Sequence, residues 1–84
     1  VNMKVTYISE KKPTLEKLQE IVGGYIQVVD LENNKQMIVN EEGSLVGLEI
    51  NNEATLLARE KGIPMHDYII VGDVAVLSDE ALLD

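Results

Sequence analysis

Few side chains in this sequence can attack a substrate or take up a proton near neutral pH. The hydroxyls are Ser9, Ser44, Ser78, Thr6, Thr14 and Thr55, and His66 is the single histidine. A hydroxyl nucleophile needs a base within hydrogen-bond reach, and the usual serine motif also presents it on a strained, glycine-rich turn. None of these residues stands in such a context, so hydrolytic chemistry is not expected, and His66 beside Asp67 reads as a surface or interface residue. The chain has no cysteine, which removes thiol nucleophiles, disulfides and thiolate zinc sites together. Glu41-Glu42 with Asp73 could gather around a hard cation, but no Asp-x-Asp-x-Asp-Gly loop surrounds them, and a transition metal lacks a second histidine. These carboxylates read as solvated turns. Gly23-Gly24 is not followed by Lys-Ser/Thr and leads into a strand, so it is a helix stop and not a phosphate cradle. Gly24 is the residue expected to turn left-handed there. Gly72-Asp73 reads as a bend in which the aspartate satisfies its own backbone. Tyr7, Tyr25 and Tyr68 fall in separate expected strands, so no stacking platform for nucleic acid is indicated. No catalytic residue, cofactor or metal site is expected.

Charge is the strongest compositional signal. Residues 1–40 hold five acids and five bases, whereas residues 41–84 hold ten acids against Arg59 and Lys61, so the whole net charge of −8 belongs to the second half. That half would repel a phosphate backbone or an anionic membrane, and a basic partner suits it better. Glu41, Glu42, Glu49, Glu53 and Glu60 lie in turns or on helix exteriors rather than at core positions, which makes them the candidate partner-binding residues. No apolar run reaches the about 18 residues a membrane span requires, and no signal peptide is read, so a cytoplasmic location is expected.

The elements that must position these groups follow from local patterns. At 84 residues the chain can build one core, so a single domain over residues 1–84 is expected. Residues 3–8 read as a first strand, broken by residues 9–13. Thr14 caps a helix over residues 15–22, with Leu15, Leu18 and Ile21 or Val22 recurring at helical spacing. Residues 25–31 and 36–40 alternate as strands around Asn33-Asn34, which tolerates positive φ, and they form a hairpin. Residues 41–43 turn, and residues 44–48 are expected to be a short extended piece. Asn51 or Asn52 caps a second helix to about Lys61, with Gly62 and Pro64 beyond it; Leu57, Ala54 and Ala58 face the sheet and Leu56 widens that stripe. Residues 68–71 and 74–77 are one bulged strand or two short ones around Gly72-Asp73, and Ser78 opens a last helical turn. The order β-α-β-β-α-β, plus a C-terminal helical turn, implies an α+β domain. Its sheet should have four or five mostly antiparallel strands, with both helices on one face.

The succession Leu18 to Val29 through Val22-Gly23-Gly24-Tyr25-Ile26, then Val39-Asn40-Glu41-Glu42-Gly43, Leu45, Gly47-Leu48 and Asn51, then Ile70-Val71-Gly72-Asp73, resembles a domain-of-unknown-function family. The family consists of small proteins from bacteriophages and from conjugative elements of Gram-positive bacteria. The likeness spans most of the chain, while Ala54 to Lys61 has a sequence of its own. It implies a mobile-element origin and, through the antirestriction genes that neighbour such proteins, a part in counter-defence; it transfers no functional residue. The resulting expectation is a non-enzymatic acidic accessory protein that binds and inhibits a host protein through a basic surface. The alternative is a homo-oligomeric module that sequesters a small signalling nucleotide, held by Lys11, Lys12, Arg59 or Lys61. A virion-assembly subunit that pairs through an edge strand is a third class.

Overall fold

Asn33 and Asn34 both adopt the left-handed conformation, at φ 61° and 57°. Their side chains tolerate that region better than most, so the chain reverses there and joins β2 (Ile26–Leu31) to β3 (Lys35–Asn40) in an antiparallel hairpin. The structure, a computed structural model, describes residues 3–59 and 69–83. Before the hairpin come β1 (Val5–Ile8) and α1 (Leu15–Val22); after it come α2 (Asn52–Arg59), β4 (Val74–Leu77) and a 3-10 turn at Asp79–Ala81. The strand order is β1-β4-β3-β2, with β1 parallel to β4 and the other two pairings antiparallel. The domain is α+β with a mixed, mostly antiparallel four-stranded sheet.

Local chemistry makes the helix ends. Thr14 Oγ1 accepts the Lys17 N–H at 3.1 Å, which starts α1. Gly23, at φ 81°, ends it, and the N–H groups of Gly23 and Gly24 both return to the Gln19 carbonyl. The left-handed glycine is thus Gly23 and not Gly24, whose φ is ordinary. Leu18 and Val22 are buried, while Leu15, in the first turn, is exposed. In α2 Ala54 and Ala58 are fully buried, Leu57 packs beside them, and Leu56 points to solvent and does not widen the stripe.

The helices cover opposite faces of the sheet, which corrects the expectation that they share one. Side chains alternate along a strand. Met37, Val39, Val74 and Val76 cluster with Ala54 and Ala58 of α2, while Ile38, Ala75 and Leu77 between them cluster with Leu18 and Val22 of α1. The two central strands, β3 and β4, are therefore apolar on both sides.

Residues 41–47 form successive turns, not an extended piece. Val46 N–H returns to the Glu42 carbonyl at 3.0 Å and Leu48 N–H to that of Gly43 at 3.0 Å. Of residues 69–77, expected as one bulged strand or two short ones, only 74–77 form a strand, and the piece before the bend contributes a single bridge. Val71 makes an isolated bridge with Ile50, Gly72 bends the chain at φ 80°, and β4 begins at Val74. Glu60 to Tyr68, including the expected helix end at Lys61 and Gly62, Pro64, His66 and Asp67, lie outside the described residues.

Candidate functional site

Strand pairing decides which loops meet. The end of β3 pairs with the start of β2, and the start of β4 with the start of β1, so the segments at 22–25, 40–51 and 70–73 gather at one end of the sheet. They are the segments on which the family likeness rests.

Asn40 is their first joint. Its Nδ2 donates to the Val22 carbonyl at 3.1 Å, its Oδ1 accepts the Glu42 N–H at 2.8 Å, and next to it the Glu41 N–H reaches the Tyr25 carbonyl at 2.9 Å. A Cβ on Gly24 would stand 3.1 Å from Asn40 Nδ2, so the small residue leaves room for that amide. Gly43 and Gly72 make similar close approaches. A Cβ on either would fall 2.7 Å from a neighbouring side chain, Val71 for the first and Leu48 for the second.

Asn51 is the second joint and is 1% exposed. Its Oδ1 caps α2 by accepting the Ala54 N–H at 3.0 Å, which settles the choice between Asn51 and Asn52. Its Nδ2 donates to the carbonyls of Lys4 at 3.0 Å and Gly72 at 2.8 Å, so one amide joins β1, α2 and the bend. Thr55 Oγ1 accepts the Ile70 N–H at 3.0 Å in support. Asp73 Oδ1 accepts the Lys4 N–H at 2.8 Å, so its carboxylate ties down the start of β1 rather than its own backbone.

Of the candidate glutamates, Glu41, Glu42, Glu49 and Glu53 all stand at this end and all are exposed; Glu60 lies outside the described residues. Their situations differ. Glu53 accepts a hydrogen bond from the Tyr7 hydroxyl at 2.5 Å, which ties α2 to the sheet edge. The carboxylates of Glu41, Glu42 and Glu49 have no partner among the described residues. Among those residues, no three His, Asp or Glu side chains converge as metal ligands would. Of the candidate cations, Arg59 lines a cleft with Ile50, Leu56 and Ile69, and Lys61 lies outside the described residues.

Sequence reasoning had Tyr25 as a strand residue and Leu45 and Val46 as part of an extended piece. The structure exposes them at 67%, 85% and 64%, beside Glu41 and Glu42. The signal was available in Leu45-Val46, an apolar pair inside a turn-forming stretch with no alternation to bury it. A cleft of about 340 Å³ opens here between the end of α1 and the 41–47 turns, lined by Tyr25, Glu42 and Val46.

No helix among the described residues is long and apolar enough to cross a membrane. No curated protein and no solved structure matches the chain. One family profile does, over residues 2–81, and its span takes in the three segments that meet at the Asn40 and Asn51 joints. The chain belongs to the DUF3846 family, a domain of unknown function.

Proposed function

We propose that this protein is a non-catalytic binding module that docks on a basic surface of another protein. In the phage or mobile-element setting that the resemblance suggests, it would disable a host factor, a defence protein being the target that fits. The observation that carries the reading is the pairing of carboxylates that have no partner among the described residues with exposed apolar side chains at one end of the sheet. Glu41 and Glu42 stand beside Tyr25, Leu45 and Val46, on a scaffold that the side-chain amides of Asn40 and Asn51 hold in place. Apolar contact supplies affinity in such surfaces, and the charges steer encounter and choose the partner.

The test compares wild type with the Glu41→Gln, Glu42→Gln double variant as bait in a bacterial host lysate. Association kinetics with the captured protein are then measured at about 20 and 150 mM salt. The reading expects the double variant to associate at least threefold more slowly and with a weaker salt dependence, with no loss of fold stability. Equal or faster association of the variant overturns it. Glu53→Gln is left out because it would also disturb the contact with Tyr7.

A further inference from the structure

We propose that the cleft between the end of α1 and the 41–47 turns is a socket for a basic side chain, best an arginine, of the partner protein. This rests on the reading above and names its centre. Four features converge on the cleft. Its floor is peptide, because Gly23 and Gly24 carry no side chain. Tyr25 lines it and is 67% exposed, so an aromatic ring is accessible to a guanidinium. Glu42 supplies a carboxylate whose backbone is fixed by Asn40. The C-terminus of α1, the negative end of its dipole, closes at Gly23, and its last turn holds no basic residue to neutralise that end.

The glycine floor leaves room; the ring, the carboxylate and the helix end favour a cation, and Val46 favours one on an apolar stem. Arginine fits better than lysine: its plane stacks on an aromatic ring and its fork matches a carboxylate. An anionic ligand would meet Glu42 and the helix dipole with the wrong sign. The opening of about 340 Å³ accommodates one such side chain, with Leu45 and Val46 left at the rim for the surface around it.

The probe is N-acetylarginine methylamide, titrated into isotopically labelled full chain and followed by amide NMR. N-acetylcitrulline methylamide serves as its neutral isostere. Binding in about the millimolar range is expected for a single exposed contact of this kind. The amides of Gly23, Gly24, Tyr25 and Glu42 should shift with the arginine compound and not with citrulline. Tyr25→Ala and Glu42→Gln should each weaken binding threefold or more, while Tyr25→Phe keeps it. Equal shifts from citrulline, or shifts spread over distant carboxylates such as Glu16 and Asp79 without a focus at the cleft, overturn the socket. So do cleft shifts that appear on concentrating the protein alone, since they would make a second copy the occupant. If arginine leaves the cleft silent while the Glu41, Glu42 double variant still loses partner association, the socket fails and the acidic docking surface stands.

Discussion

Asn51 uses both polar atoms of its side chain inside the protein, and no substitution reproduces them. Alanine would strand the Ala54 N–H and the Gly72 carbonyl and leave the Lys4 carbonyl only its bond from the Val74 N–H, and loss of a cap together with buried unpaired groups costs about 2–4 kcal/mol. Aspartate keeps the shape and the cap acceptor but donates nothing and buries a charge, so Asn51→Asp should destabilise as severely. Denaturant melts test both, and an Asn51→Asp midpoint close to wild type would remove the joint from the account. Gly23 shows what a sequence reveals about a single residue and where it stops. The glycine pair announces a helix end, but which member turns left-handed depends on the phase of the last turn, which packing of Leu18 and Val22 sets. Gly23→Val forces a β-branched residue to φ 81° and should cost about 1 kcal/mol or more. Gly24→Ala meets only the end of the Asn40 side chain at 3.1 Å and should cost less, which a pair of melts would rank.

Elements were legible where their cause is local. The hairpin could be read because two arms rich in β-formers flank an Asn pair, and α1 because Thr14 and the glycines punctuate it. Asn34→Gly should accordingly hold or slightly raise the melting temperature, since glycine takes φ 57° freely, whereas Asn34→Val should lower stability by about 1 kcal/mol. The placement of the helices was not read, although a signal existed. Met37-Ile38-Val39 and Val74-Ala75-Val76-Leu77 are uninterrupted apolar runs, the pattern of strands covered on both faces. Alternation in β2, an edge strand, suggested a sheet with one wet side, and that inference does not extend to the two strands at the centre. The candidate site was legible only in parts. Its glutamates could be named from their positions in turns, but the meeting of residues 22–25 with 40–51 and 70–73 depends on strand order, which no local pattern encodes.

At the scale of the molecule, charge acts in two directions, and salt separates them. The net charge of −8 opposes folding by self-repulsion. The topology adds to this by bringing Glu41, Glu42, Glu49 and Glu53 to one end, where the carboxylates of the first three have no partner among the described residues to offset them. Raising ionic strength from about 10 to 150 mM shortens the Debye length from about 30 to 8 Å, which screens that repulsion. Stability should therefore rise by about 1 kcal/mol, or about 4–8 °C for a domain of this size. A protein held together by surface ion pairs would respond with the opposite sign. The same carboxylates attract a basic partner, so the association rate should fall over the same salt range. Glu41→Gln with Glu42→Gln should reproduce both effects at low salt, with a higher melting temperature and slower association, because the repulsion and the attraction arise from the same charges. A double variant that melts lower than wild type would mean that these glutamates make folded-state contacts, and the docking surface would then have to be sought elsewhere on the molecule.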